Sequence, residues 1–259
     1  MNSRQIWVAY STIVHKEFSR LFRVWIQNLL PPVVTTTLYF LVFGKFIGSQ
    51  VAPVGDVSYM EYIVPGIILM SVITQSFMQT AFGFYIAKFQ RSLEEILVSP
   101  VPYGVMILGY VSGGVLRGMV TGTLLLGVAF FFTPLQIVHP IHFIAFALCS
   151  SILFSLAGLI NGIFAKDFDT ISIFPTFILT PLTYLAGTFY SIELLPEFWR
   201  GLSLYNPVLY LVNGFRFGLL GVTDVSLAVA YTVLIILISV LAAWVWHLFS
   251  SGRGVRIYL

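Results

Sequence analysis

Residues 225–249 read V-S-L-A-V-A-Y-T-V-L-I-I-L-I-S-V-L-A-A-W-V-W-H-L-F and contain no Asp, Glu, Lys or Arg. This block exceeds the about 20 apolar residues with which a helix crosses the roughly 30 Å hydrocarbon core of a membrane. The same bias extends over all 259 residues, of which 58% are hydrophobic and 9% charged. Soluble domains carry about 25% charged residues, so the composition excludes an ordinary water-soluble fold and predicts a membrane protein.

Similar apolar runs recur along the chain and predict six membrane spans. They lie near Ile26–Phe43, Ile63–Phe84, Val105–Phe132, Ile141–Ala165, Ile171–Tyr190 and Val225–Phe249. The runs lack the strict alternation of barrel strands, and backbone groups in lipid must be satisfied within their own segment, which favours helices. We therefore predict an all-α polytopic membrane protein in which residues 1–259 form a single transmembrane domain.

The placement of Lys and Arg predicts the orientation of these spans. An even number of crossings puts both termini on one side, together with Arg4, Lys16, Arg20, Arg23, Lys88, Arg91, Lys166, Arg253 and Arg256. The other side holds Lys45, Arg200 and Arg216. Basic residues accumulate in cytoplasmic loops, so both termini are expected in the cytoplasm.

Residues 1–25, before the first span, have the pattern of an amphipathic helix. Trp7, Phe18 and Trp25 fall on one face at about 100° per residue, and basic residues project from the other side. Such a helix is expected to lie in the headgroup layer, where its Lys and Arg meet anionic lipid. It either anchors the chain and sets its topology or contributes to docking a partner.

The loop at residues 86–100 predicts a short cytoplasmic helix that ends at Pro100. Its apolar stripe consists of Phe89, Leu93, Ile96 and Leu97, of which the last three follow Phe89 by four, seven and eight residues. The sequence offers no soluble core against which this stripe could pack. It is therefore expected either on the membrane surface or in a groove of another protein.

Residues 191–222, on the outer side, are apolar but repeatedly interrupted. Pro196, Gly201, Pro207 and Gly214 break the segment into pieces too short to cross the membrane. A re-entrant or interfacial pair of helices fits this pattern, because broken backbone at membrane depth must be covered by protein or line a cavity. The region is expected to form an outer gate or a lid over the helix ends.

Motifs for chemistry within the chain are missing from the sequence. There is no Gly-x-x-x-x-Gly-Lys-Ser/Thr phosphate loop and no Gly-x-Ser-x-Gly elbow, and the single Cys149 and four scattered histidines suggest no metal site. The basic residues form no stripe of the kind that nucleic-acid binding requires. We expect no catalytic residue and no cofactor in this chain, so any dependence on ATP must come from another chain.

One charged residue, Arg117, lies deep in a predicted span. It is about 18 Å from the inner end of the third span at 1.5 Å per residue, and the spans contain no carboxylate at mid-membrane depth to pair with it. Arg117 is expected to face an aqueous pathway, to bond backbone carbonyls at a helix break, or to snorkel as a structural residue. Around it, Gly109, Gly113 and Gly118 form small-residue ridges that predict tight helix packing.

Two segments resemble motifs of a known family. They are S-L-E-E-I-L-V-S-P-V-P at 92–102 and A-G-T-F-Y-S-I-E-L-L-P-E-F-W-R-G-L-S-L-Y-N-P-V-L-Y at 186–210. Both resemble the membrane subunit of ABC-2 type transporters, in particular its YadH-like branch, and the resemblance extends over nearly the whole chain. It implies a type V exporter-like fold and a homodimer in the bacterial inner membrane, with two separate ATPase subunits that hold ATP and Mg.

The resemblance also implies roles for particular residues. The loop helix becomes a coupling helix whose ATPase-docking residues are Phe89, Arg91, Leu93, Glu94 and Glu95. The outer re-entrant gate is formed by Leu195, Pro196, Trp199, Asn206 and Pro207. The implied activity is ATP-driven export of a hydrophobic or amphipathic compound, such as a drug, a lipid or a glycan-linked molecule. The alternatives are an ion-gradient-driven carrier and a non-transporting membrane scaffold.

Overall fold

The computed structural model describes residues 2–51, 53 and 57–252, so Arg253 and Arg256 lie outside the described residues. The helices are α1 (Ser3–Arg23), α2 (Trp25–Tyr39), α3 (Tyr59–Phe89), α4 (Ser92–Val98), α5 (Tyr103–Ala129), α6 (Pro140–Phe164), α7 (Phe168–Phe174), α8 (Thr180–Tyr184), α9 (Glu197–Leu204), α10 (Pro207–Leu220) and α11 (Leu227–Ser251). Helix α2 continues as π-helix through Phe40–Ile47, and a second π-helical stretch, Pro175–Leu179, joins α7 to α8.

Within the part of the chain that the structure describes, five helical segments are long and apolar enough to cross a membrane. They are Trp25–Ile47, Tyr59–Phe89, Tyr103–Ala129, Pro140–Phe164 and Leu227–Ser251. The sixth predicted span, near Ile171–Tyr190, corresponds to the shorter α7–α8 segment, in which Pro175 begins the π-helical turn. This interruption agrees with the kink expected at a proline, which cannot donate a helical hydrogen bond. Crossing by this segment stays a prediction.

Helix α3 forms the centre of the bundle. Its first turn is fixed by a capping box, in which the Ser58 hydroxyl accepts from the Glu61 amide and the Glu61 carboxylate accepts from the Ser58 amide. Residues 62–69 are all buried, because α5, α6 and α10 pack around the helix. By contrast, α2 and α11 keep broad exposed apolar faces, which suits helices at the lipid boundary.

Helix α1 packs directly onto α5 through glycine. A Cβ at Gly109 would lie 2.6 Å from Cγ2 of Ile13, and one at Gly113 would lie 2.7 Å from Cβ of Glu17. Only glycine allows the two helices to approach this closely. The tight packing predicted from the glycine ridge is confirmed for the described residues, and the partner of this part of the ridge is the N-terminal helix.

The surface of α1 differs in part from the amphipathic helix that we expected. Trp7 is 66% and Phe18 43% exposed, and the buried face holds Ile13, Glu17 and Leu21. We expected Arg20, like the other basic residues of this segment, on the side opposite the aromatic face, and this prediction is wrong. The Arg20 guanidinium turns inward to the Glu17 carboxylate and the Gln79 carbonyl, because a charge beside a packed helix needs polar partners.

The predicted cytoplasmic helix is shorter than residues 86–100. Helix α3 extends through Phe89, and α4 begins only at Ser92 after Arg91 adopts a left-handed conformation with φ of 57°. Phe89 and Leu93 therefore lie on two different helices, and the continuous stripe that we expected is wrong. Leu93 is 1% exposed and packs in an internal cluster with Ile13 and Met106. The expectation that the chain offers no core for this side chain is therefore wrong.

The outer region at residues 191–222 folds into two helices, α9 and α10. Pro196 precedes α9, and Pro207 opens α10, where a proline costs no helical hydrogen bond. The Asn206 side chain accepts from the Val208 amide at 3.0 Å and donates to the Leu182 carbonyl at 2.6 Å. Asn206 thus caps α10 and ties it to α8. The depth of this pair in the membrane stays a prediction.

Candidate functional sites

Arg117 bonds a backbone carbonyl, which agrees in part with one of our expectations, although α2 continues through Pro31 and Pro32 without the expected break. Its Nη2 donates to the Asn28 carbonyl at 3.5 Å and its Nη1 to Gln79 Oε1 at 3.2 Å. Asn28 lies four residues before Pro32, which has no amide hydrogen to bond this carbonyl. Arg117 therefore supplies the missing donor. Its Nε is buried and finds no hydrogen-bond partner among the described residues.

Gln79 connects Arg117 to a buried carboxylate on α1. Its Nε2 donates to Glu17 Oε2 at 3.1 Å, and its backbone carbonyl accepts from Arg20 Nη2 at 2.8 Å. Glu17 is 2% exposed, and burial raises the pKa of its carboxyl above the ordinary value, although Arg20 opposes the shift. These four side chains, Glu17, Arg20, Gln79 and Arg117, form what we call the inner centre.

The burial of Glu17 was not predicted from the sequence, because buried carboxylates were considered only within the spans. A usable signal was present. Glu17 falls four residues after Ile13 and four before Leu21, so it shares the face that packs on α5.

A second buried arginine, Arg216, lies on α10 and is completely buried. Its Nη2 donates to the Gly187 carbonyl at 2.6 Å and its Nε to the Tyr62 carbonyl at 3.3 Å. The guanidinium carbon lies 3.9 Å from the centre of the Tyr62 ring, and Nη1 is 4.0 Å from Asp224 Oδ2. The Tyr62 hydroxyl donates to the same Asp224 oxygen at 3.0 Å. We call Tyr62, Gly187, Arg216 and Asp224 the outer centre.

Our expectation placed Arg216 in the outer helix pair at residues 191–222 and did not include the burial of its charge. The residue belongs to the apolar helix Pro207–Leu220, where its charge is enclosed by α3, by the turn at Gly187 and by the segment that precedes α11. The detectable signal was an arginine within a run of apolar residues, the same signal that singled out Arg117.

The structure brings together some of the predicted gate residues. Trp199 and Asn206 line one cavity of about 260 Å³ between α8 and α9, together with Leu182 and Leu202. Leu195 and Pro196 lie outside this cavity in the turn before α9, and Pro207 is half-buried at the start of α10.

The predicted docking residues occupy one end of the bundle but differ in exposure. Phe89, Arg91, Glu94 and Glu95 are exposed, with Phe89 at 65%. Leu93 is buried within the chain, so the prediction that it lies on the docking surface is wrong. Leu93 fastens α4 to the bundle, and the four exposed residues form the surface. Among the described residues no group of three or more His, Cys, Asp and Glu side chains is arranged to hold a metal ion.

Comparison with known proteins assigns the chain to a family. Residues 8–220 match the ABC-2 type transporter family. The chain belongs to this family. The match runs from α1 to the end of α10, so the inner centre, α4 and most of the outer centre lie inside the ABC-2 region.

Individual ABC-2 relatives differ in their distance from the chain. It is 52% identical over 251 residues to the inner membrane transport permease YadH of Escherichia coli (strain K12), covering 96% of this chain and 98% of the relative. It is 22% identical over 198 residues to nodulation protein J of Rhizobium leguminosarum bv. viciae, covering 75% and 74%. The chain is thus a membrane component of a transport system, in keeping with its apolar helices.

Proposed function

We propose that this chain is the permease subunit of an ATP-driven exporter in a bacterial inner membrane. Two copies form the translocation pathway and two separate ATPase subunits dock beneath them. The observation that carries the proposal is α4, a charged and exposed helix fastened to the bundle by the buried Leu93. A short helix held in this way transmits a push from a partner to α3 and α5 instead of moving independently.

The proposed topology has six spans, with α7–α8 as the fifth, and both termini in the cytoplasm. The Tyr85 hydroxyl donates to the Lys166 carbonyl at 3.2 Å, and Lys16 Nζ lies 3.5 Å from the Ser92 hydroxyl oxygen. These contacts bring α1, α4 and the α6–α7 loop to one end of the bundle. That end is rich in Lys and Arg, which supports a cytoplasmic position.

The cargo is proposed to be hydrophobic or amphipathic. A groove of about 250 Å³ between α2 and α3 supports this class, because its polar lining is uncharged. The polar side chains are Thr35, Thr36, Tyr39, Ser71, Thr74 and Gln75. Hydroxyl and amide groups at the lipid boundary suit a molecule with an apolar part and neutral hydrogen-bonding groups. Arg117 lies away from this groove, and its bonds to Asn28 and Gln79 support a structural role over a pathway role.

The test is complex formation with the ATPase encoded nearest to this chain in the genome. Charge reversal of Glu94 and Glu95 to Lys should abolish co-purification, because both carboxylates are exposed on α4. The matched control reverses Glu193 and Glu197, which are exposed at the outer end and should leave the complex intact. Survival of the complex after reversal on α4 would remove the basis for the proposal.

The ion-gradient carrier remains the second candidate because Glu17 is a buried carboxylate near Arg117. Its bond to Arg20 argues for a fixed ion pair, since a carboxylate that exchanges protons needs access to water. Uphill transport by the purified chain alone in vesicles, lost in Glu17→Gln, would favour this candidate over the exporter.

A further inference from the structure

We propose that the α6–α7 loop forms the second half of the ATPase-docking surface. Phe168 and Phe89, which we call the aromatic pair, would enter one apolar pocket of the ATPase whose rim carries carboxylates. This inference rests on the proposed function, in which the ATPase docks at α4. It adds a second loop to that contact and states the chemistry of the complementary surface.

The aromatic pair is assembled from two distant parts of the chain. The rings of Phe89 and Phe168 are 5.6 Å apart, and the Phe168 ring meets the Tyr85 ring edge-on at 4.9 Å. Tyr85 is buried, whereas Phe89 is 65% and Phe168 46% exposed. The buried tyrosine therefore supports two rings that project from the bundle, an arrangement typical of aromatic anchors in protein interfaces.

The two loops are held rigidly to each other. Lys88 Nζ donates at 2.9 Å to the carbonyl of Ile163, in the last turn of α6. The Tyr85 hydroxyl donates to the Lys166 carbonyl at 3.2 Å. A surface fixed before binding loses little conformational entropy when a partner docks, which favours affinity.

Length places the aromatic pair outside the hydrocarbon core. Helix α3 has 31 residues and is about 46 Å long at 1.5 Å per residue, whereas the core is roughly 30 Å thick. Phe89 is the last residue of α3, follows Lys88 and lies five residues beyond the apolar run that ends at Phe84, so we place it outside the lipid chains toward α4. A protein partner is therefore a better occupant than acyl chains for these exposed rings.

The charges around the aromatic pair indicate which charges the rim of the ATPase pocket should carry. A cavity of about 380 Å³ beside the rings is lined by Lys88, Arg91 and Lys166, with no acidic side chain in the lining. Asp167, next to Lys166 in the sequence, does not line this cavity, and its carboxylate accepts from the Thr170 amide at 2.7 Å in the first turn of α7. Carboxylates on the ATPase would thus face Arg91 and Lys166, and basic groups would face Glu94 and Glu95. This polarity fixes the direction in which the ATPase docks.

The inference is tested by measuring the dissociation constant between the full-length detergent-solubilised chain and its ATPase. Phe168→Ala should weaken binding about tenfold, as expected for an interface anchor. Lys166→Glu should weaken it further by repelling the acidic rim, and this exposed side chain can change without disturbing the core. The matched control is Phe131→Ala, a ring that is 90% exposed in the α5–α6 loop and should leave binding within twofold of wild type.

The outcomes separate this inference from the proposed function. Unchanged binding in Phe168→Ala and Lys166→Glu, with loss on reversal of Glu94 and Glu95, would overturn the inference and leave the coupling helix in place. Unchanged binding in all of these variants would overturn both. If the two loop variants bind the ATPase normally but lose affinity for vesicles that contain anionic phospholipid, the surface recognises lipid and the inference is wrong.

Discussion

The inner and outer centres place an arginine inside the same bundle in two different ways. Arg216 in the outer centre is completely buried, bonds two carbonyls, faces a tyrosine ring and lies near the carboxylate of Asp224. Arg117 in the inner centre reaches Glu17 only through the neutral amide of Gln79. Each arginine keeps one buried nitrogen without a hydrogen-bond partner among the described residues, Nε in Arg117 and Nη1 in Arg216. The outer centre encloses its arginine completely, and we call it the outer lock, whereas the arginine of the inner centre is linked to the Glu17–Arg20 ion pair only through a neutral amide.

This difference follows from the elements that each centre joins. The outer centre connects α3, α10, the segment before α11 and the turn where Gly187 has φ of 69°, a conformation that side chains disfavour. The inner centre connects the spans to α1, the helix that also contacts α4. The outer centre thus joins elements of the bundle core, whereas the inner centre joins the bundle to α1 through hydrogen bonds to the neutral side chain of Gln79.

The largest expected effect is on the outer lock. Arg216→Leu should destabilise the protein by about 3–5 kcal/mol, because it leaves the half-buried Asp224 without its cation and the Tyr62 and Gly187 carbonyls without their donor. Thermal unfolding in detergent measures this loss. Arg200→Leu, an exposed arginine on α9, is the matched control and should change stability by no more than about 0.5 kcal/mol. Equal unfolding temperatures for the two variants would show that the outer centre is no lock.

The next effect concerns the anion of the same lock. Asp224→Asn keeps the shape and an acceptor for the Tyr62 hydroxyl but removes the charge that faces Arg216, so we expect a loss of about 1–3 kcal/mol. In a double-mutant cycle, Asp224→Asn should cost much less when Arg216 is already Leu. Additive losses would mean that the 4.0 Å pair contributes no coupling.

The two centres also show which features of the fold and of the buried charges can be predicted from the sequence. Hydropathy along the chain located five helices that, among the described residues, are long and apolar enough to span a membrane, and the bond of Arg117 to a backbone carbonyl was one of three expected alternatives. The sequence did not reveal the burial of Arg216, because the partners that allow this charge to be buried, Tyr62 and Gly187, lie 154 and 29 residues away. Burial of a charge depends on such distant partners, and they are invisible in a local window of sequence.

The end of the bundle that holds α4 gives a second example of this dependence on distant partners. The spacing of Phe89 and Leu93 suits one continuous helix, but the left-handed Arg91 separates them onto α3 and α4. Nothing in the local pattern distinguishes Arg91 from a helical residue. The packing of Leu93 against Ile13 of α1 provides a tertiary reason for the corner, since it fixes where α4 must lie.

A smaller effect is expected at the inner centre. Arg117→Leu should cost about 1 kcal/mol, clearly less than Arg216→Leu, because it removes two bonds at 3.2 and 3.5 Å and leaves Glu17 paired with Arg20. Thermal unfolding of both variants under one condition makes the comparison. Access is tested in a Cys149→Ser background, where a cysteine replacing Arg117 should be inert to a small water-soluble thiol reagent. Rapid labelling would instead place position 117 on an aqueous pathway.

The smallest expected effect is a change with pH in the comparison of wild type and Glu17→Gln. Burial raises the pKa of Glu17 in the folded protein, so folding favours the protonated carboxyl. The stability from this preference is fully present below the ordinary carboxyl pKa and is lost as pH rises through the folded-state value. Glutamine has no such dependence, so acidification from about pH 7 to about pH 5 should stabilise the wild type relative to Glu17→Gln. Unfolding temperatures of the two proteins at both pH values measure the shift. A relative stabilisation of Glu17→Gln on acidification would instead show that the pairing with Arg20 outweighs burial and that the inner centre is as firmly ionic as the outer one.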